Sequence, residues 1–129
     1  MKPESSMSEK EQRKEAFRKR TKAYASAVVR AYCALPKRTE CQVLGKQFLR
    51  SGTSVAANYR EASRARSDAE FVSKVDQCAQ EADECMLWIE LLIDDCQINA
   101  EALHRLLKES DELISIFTTM SRKVKNRIQ

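Results

Sequence analysis

The chain is short of the residues that interrupt regular backbone. Gly and Pro each occur twice in 129 residues, well below ordinary usage of about 7% and 5%. That scarcity argues against a turn-rich fold. With a third of the residues charged, it reads as long helices joined by short connections. Histidine is scarcer still: His104 stands alone, which argues against a zinc site or a di-iron bundle site, both of which want several His ligands. A carboxylate-only ion site is the remaining metal alternative, and no cofactor is expected. The five cysteines, Cys33, Cys41, Cys78, Cys85 and Cys96, are odd in number and include no C-x-x-C. They are expected to be reduced thiols.

Long apolar runs are missing too. Nothing approaches the ~20 residues that span a bilayer, and the first 20 residues contain no apolar signal core. The expected location is the cytoplasm, away from membrane. The sequence also lacks phosphate loops, dinucleotide fingerprints, H-E-x-x-H pairs and nucleophile elbows. An enzyme is therefore the least favoured class, with Glu81 or Glu84 the only carboxylates worth weighing for such a role.

Charge is present in quantity and unevenly spread. Residues 1–38 carry a net +7, residues 39–66 +3, residues 67–98 −8 and residues 99–129 +2, within an overall +4. Opposite fields on two faces, or head-to-tail pairing of subunits, would both follow from such segregation.

The apolar spacing divides the chain into a flexible arm, residues 1–7, and one four-helix domain, residues 8–129. Helix one opens with a Ser8–Glu11 capping box. It carries Phe17, Tyr24, Val28, Ala31 and Leu35 on one stripe, and Pro36 ends it. Helix two opens at Thr39, with Gln42 as capping partner. Gly45 and Gly52 lie within its stripe, each costing ~1 kcal/mol against Ala, so either close packing or a break near Gly52 is expected. Helix three is capped by Ser67 and Glu70 and repeats Phe71, Val75, Cys78, Ala82, Cys85, Ile89, Leu92 and Cys96 at four-three spacing. Its last turns, with Leu87, Trp88 and Leu91, are expected to be covered on several sides. Helix four, capped by Asn99, repeats Leu103, Leu107, Ser110, Ile114, Phe117, Ser121, Val124 and Ile128, with Leu106, Leu113 and Met120 as a second row. The fold class is all-α, an antiparallel up-down-up-down four-helix bundle.

The least ordinary stretch is Arg50–Arg66. Ser51, Gly52, Thr53, Ser54, Ala56 and Ala57 are small where a surface helix would carry Leu, Glu and Lys. Asn58, Tyr59 and Glu61 follow, giving a small-and-polar seam along one side of helix two. This stretch carries a family resemblance. Pro36-Lys37 is followed by Leu44-Gly45-Lys46-Gln47; then come Arg50, Ser54, Val55, Ala57, Asn58, Tyr59 and Glu61; then Phe71, Glu81, Glu84, Trp88 and Leu91-Leu92. Over roughly residues 17–125 the chain resembles the 23S rRNA intervening-sequence proteins. It departs from their commonest form in having Ala62-Ser63 where many members have Glu-Gly. The resemblance implies a four-helix bundle that assembles into a homopentameric ring. It also implies distant kinship with the accessory protein of diversity-generating retroelements, a basic pentamer that contacts nucleic acid and a reverse transcriptase. It brings no catalytic activity.

Two sets of side chains are candidates for function. The basic set, Arg13, Lys14, Arg18, Lys19, Arg20, Lys22, Lys37, Arg38, Arg64, Arg66, Arg122, Lys123, Lys125 and Arg127, would bind phosphate backbones; a merely solvated helix face is the bland alternative. No aromatic stacking platform interleaves these cations, so base-specific readout is not expected. The polar set, Arg50, Ser54, Asn58, Glu61, Glu81 and Glu84, reads as a structural network in which Arg50 satisfies carboxylates. The expected function is non-enzymatic binding of structured nucleic acid, RNA ahead of DNA, by an oligomer of this chain. A protein-interaction scaffold with no nucleic-acid role is the alternative.

Overall fold

Ser8 starts the first helix as its sequence predicts: its Oγ accepts from the Glu11 amide at 3.1 Å, satisfying one of the free donors of the first turn. The computed structural model describes residues 7–128, as α1 (Glu9–Cys33), α2 (Thr39–Ala62), α3 (Asp68–Asp94) and α4 (Glu101–Ile128). The expected arm lies outside the described residues apart from Met7, as does the side chain of Ile128. No strand occurs among the described residues.

Contacts between neighbours fix an antiparallel course. On α2 and α3 the Cys85 thiol meets the Phe48 carbonyl and the Cys78 thiol meets the Val55 carbonyl, so one numbering rises as the other falls. Lys125 reaches Asp76 and Arg127 reaches Asp68 across α3 and α4. Gly52 lies against Val28 across α1 and α2, and Arg20 meets Glu109 across α1 and α4. Each helix packs on its two neighbours, and the α1–α4 seam is the sparsest.

The ends differ from expectation in physically simple ways. Arg38, not Thr39, is the N-cap of α2, and it offers no capping side chain; Gln42 Nε2 instead donates to the Pro36 carbonyl at 2.8 Å. Ser67 caps α3 through the Glu70 amide at 3.0 Å, but the Glu70 carboxylate turns back one residue further, to the Arg66 amide at 2.8 Å. The first carbonyl of α4 to accept is that of Ala100, from Leu103 and His104, so Ala100 takes the place expected of Asn99. Helix α3 stops at Asp94 because Gln97 adopts a left-handed φ of 58°. The Cys96 and Ile98 amides then close back onto the Leu91 and Leu92 carbonyls, a non-glycine version of a common C-terminal stop.

The core follows the predicted stripes on α1 and α3 and shifts on α4. Val75, Cys78, Ala82, Cys85, Ile89 and Leu92 are all fully buried. On α4 the inward row is Leu103, Leu106, Ser110, Leu113, Phe117, Ser121 and Val124, while Leu107 and Ile114 flank it. Leu106 and Leu113, expected as a second row, take the inward places of Leu107 and Ile114, while Ser110 keeps its expected place. Its Oγ donates to the Leu106 carbonyl at 2.7 Å and accepts from the Tyr24 hydroxyl at 2.6 Å, a polar contact between α1 and α4 that an apolar pattern cannot register. Helix α2 runs unbroken through Gly52, which settles its two glycines as close-packing sites. Leu87 is 46% exposed, because the C-terminal turns of α3 meet neighbours only on their α2 and α4 sides.

Buried thiols give the fold an alkaline limit. Burial pushes Cys78 up to about 12 and raises Cys85. Above pH ~9 the unfolded chain releases these protons while the fold retains them, so stability falls as pH rises, by about 1.4 kcal/mol per pH unit for each such thiol. Urea midpoints should be lower at pH 10.5 than at pH 8, and Cys78→Ala should flatten that dependence; an identical slope in the variant refutes the assignment.

Candidate nucleic-acid interface

At one end of the bundle α1 begins, α2 ends, α3 begins and α4 ends. The four termini leave a recess of about 420 Å³. Its floor is apolar: Tyr59, Ala62, Phe71, Met120 and Val124. Its rim is cationic: Lys10, Arg13 and Lys14 from α1, Arg66 from the α2–α3 turn, and Lys123 and Arg127 from α4. Helical spacing puts Lys10, Arg13 and Lys14 on one face of α1, and the antiparallel course brings the basic C-terminal turns of α4 alongside. Among the described residues Asp68 is the one carboxylate lining the recess, and Arg127 holds it at 3.4 Å. The positive dipole ends of α1 and α3 are offset here by the negative ends of α2 and α4, so the side-chain cations set the field.

A shallow groove of about 770 Å³ adjoins the recess on the outer side of α2. Arg60, Arg64 and Arg66 line it with Lys74, Glu61 and Glu70. Lys74 lies 2.5 Å from Glu61, and that hydrogen bond raises the pKa of the lysine. Arg60 and Lys74 are absent from the expected basic set. Arg60 was legible as the residue one turn before Arg64 on the same helix face; Lys74 was not, because only the pairing of α2 with α3 brings it there.

The remaining expected cations scatter. Arg18 is engaged by Glu15 at 2.6 Å and donates to Ser63 Oγ at 3.2 Å, and it holds the Glu15 carboxyl below its ordinary range. Arg20 is gripped by Glu109 at 2.8 and 2.9 Å and by Glu112 at 3.1 Å. Lys125 pairs with Asp76 at 3.4 Å. Lys19 and Arg122 are exposed on the sides. Lys22 lies past the midpoint of α1. Lys37 and Arg38 sit at the opposite end of the bundle, where Arg38 braces the Cys96 carbonyl at 2.9 Å and Glu40 at 2.9 Å. The structure thus gathers Arg13, Lys14, Arg64, Arg66, Lys123 and Arg127 and separates the others.

The polar set divides as well. Arg50 pairs with Glu81 at 3.3 Å and with Glu84. Ser54 donates to the Arg50 carbonyl and Asn58 to the Ser54 carbonyl, both within α2. Glu61 turns to Lys74. These are half-exposed pairs of the kind that contribute little to stability. Among the described residues no group of three His, Cys, Asp or Glu side chains could hold a metal ion, and no helix is long and apolar enough to cross a membrane.

Among the described residues, divided at the helix midpoints, the half of the bundle bearing the recess carries 14 basic and 7 acidic residues, and the far half 8 and 11. The segregation seen along the chain is therefore resolved along the bundle axis rather than between two faces.

Comparison with known proteins agrees with this architecture. The family model of the 23S rRNA-intervening sequence protein matches residues 13–119. The chain belongs to that family. A crystal structure of a protein of unknown function from the S23 ribosomal protein family of Bacteroides thetaiotaomicron superimposes with a TM-score of 0.74 at 34% identity, covering 81% of this chain and 96% of that one. Among curated proteins, none matches. Membership in the intervening-sequence family supplies a fold and a genetic setting in its name; the function of the neighbouring solved protein is itself unknown.

Proposed function

We propose that this intervening-sequence family protein is a non-enzymatic, cytoplasmic binder of structured nucleic acid, RNA ahead of DNA, acting through phosphate contacts at the basic end of the bundle. The observation that carries this is the convergence of cations from three separate segments, α1, the α2–α3 turn and α4, on one rim, with Asp68 the single lining carboxylate among the described residues. Scattered surface charge gives no such focus, whereas several Lys and Arg around one opening can neutralise adjacent phosphates together. The family name, which ties these proteins to insertions in 23S rRNA, favours RNA. Arg64 extends the contact along the flank.

Self-association, as the family resemblance implies for a homopentamer, is part of the proposal. Its support is apolar surface the single chain leaves open: Val43 is 58% exposed and Leu87 46%. Repetition of the basic end around an assembly would turn a weak contact into a multivalent one. Sedimentation of the purified chain reads its mass directly.

Binding of a structured rRNA fragment and of matched duplex DNA, followed across a salt titration, tests the function. The expected log–log slope corresponds to several phosphates, at about −0.7 each on single strands and −0.9 on duplex DNA, with tighter binding to the RNA. No binding at low salt rejects the proposal and leaves a protein-interaction scaffold as the better account.

A further inference from the structure

A phosphate-binding surface has no use for an apolar hollow at its centre, yet the basic rim encloses one. The cations stand on the lip of the recess, and the apolar side chains lie inside it. Phe71, in the first turn of α3, is half-buried and lines the recess, with Met120 from α4 and Ala65 from the turn. It stands outside the group of three rings beneath, in which Phe17 meets Tyr59 edge to face at 4.8 Å and Phe117 edge to face at 5.5 Å. Tyr59 belongs to both that group and the recess floor, and is only 2% exposed. The ring group therefore plugs the bundle axis and keeps the recess short.

These dimensions select the occupant. A volume of about 420 Å³ is within the usual range for a small organic group, about 300–1,000 Å³. A long acyl chain would need an apolar channel continuing down the bundle, and the Phe17–Tyr59–Phe117 group closes it. A bare phosphate would use the cations on the rim and leave the apolar side chains of the floor unused. A flat apolar ring with an anion on either side matches both parts.

We infer that the recess takes one unpaired nucleobase of an RNA strand against Phe71, with the phosphates on either side of it held by Arg13, Lys14, Arg66 and Lys123. This rests on the nucleic-acid reading above and narrows it: the preferred ligand is a single-stranded segment, a bulge or an end, rather than continuous duplex. Stacking of this kind is tolerant of base identity, so the absence of base-specific readout still stands. The sequence hides the arrangement because Phe71 is acidic helix α3's residue, far in the chain from the basic segments that surround it.

The test compares a labelled 12-nucleotide oligouridine, the same strand with abasic spacers, and a blunt RNA duplex of equal charge, each binding to the full chain. The expected order places oligouridine first. Phe71→Ala should weaken oligouridine binding about 5- to 100-fold and leave abasic binding and the salt slope unchanged. Phe71→Leu, which keeps the packing volume, should act in the same direction, and thermal melting monitors the fold of both. Equal affinity for oligouridine and its abasic form overturns the inference while the phosphate-binding function survives. Binding of none of the three overturns both. If a poly-glutamate peptide of matched charge binds with the same dependence on Phe71, the occupant is an acidic polypeptide and the inference falls.

Discussion

A triple variant, Arg13→Ala, Arg66→Ala and Lys123→Ala, is expected to bind structured RNA roughly 100-fold more weakly than the parent near 0.1 M salt, and to lower the salt slope by about 2 to 3. The three side chains come from α1, the α2–α3 turn and α4 and meet on one rim. Arg13 reaches only Glu9, at 3.9 Å and with both side chains largely exposed, so its removal leaves little unpaired behind. Neither Arg66 nor Lys123 has a side-chain ion pair among the described residues. The loss should therefore be one of phosphate contacts and not of fold. The matched control is Lys22→Ala with Lys37→Ala, which removes charge from the far half of the bundle. That pair should change affinity by less than about 3-fold. An equal loss per charge in both variants would mean that binding follows net charge alone, and the basic end would lose its special status.

Gly52→Val is expected to lower folding stability by about 3 kcal/mol, at the upper end of the usual cost of overpacking. A Cβ at position 52 would lie 2.7 and 2.8 Å from the two γ-methyl groups of Val28 and 3.2 Å from its Cβ. Val28 is fully buried, and a β-branched side chain in a helix has one strongly preferred rotamer, so it has nowhere to turn. The roughly 0.4 kcal/mol by which valine exceeds glycine in helix propensity does not offset this. Gly45→Ala should be milder. Its Cβ meets the Leu35 Cδ1 at 2.6 Å and the Tyr32 ring at 3.2 Å, and a leucine methyl at the end of two torsions can give way. Urea denaturation followed by circular dichroism measures both. If Gly52→Val stays within 1 kcal/mol of the parent, the close approach of α1 and α2 is not the reason for the glycine.

Much of this architecture is legible in the sequence because a bundle core is periodic. The four-three repeat of α3 from Val75 to Leu92 falls on its fully buried residues, with Phe71 ahead of them half-buried, and Ser8 and Ser67 mark their helices by local chemistry that needs no tertiary partner. Errors arise where a non-local contact overrules a local signal. Ser110 looks like a weak member of an apolar row, and only the fold shows that it meets the Tyr24 hydroxyl of α1. Asn99 has the right side chain for a cap, but the turn after Gln97 delivers Ala100 to that place. The candidate site was legible as a list of cations and not as a place. Nothing in the chain separates Arg66 from Arg38 by type; the fold puts one at each end. Phe71 reads as core by its spacing, and only the convergence of four helix termini shows that it is partly open among charges.

The uneven halves of the bundle bear on how the molecule meets other polyelectrolytes. Helices of 24 to 28 residues rise about 1.5 Å per residue, so the long axis is about 40 Å, several times the ~8 Å screening distance at physiological ionic strength. A polyanion near one tip does not sense the other. What it meets is a tip with twice as many positive as negative groups, not the +4 of the whole chain, and the isoelectric point of about 8.9 understates that local charge. The protein is electrically a directional object: an approaching strand experiences a torque that turns the recess toward it before any contact forms.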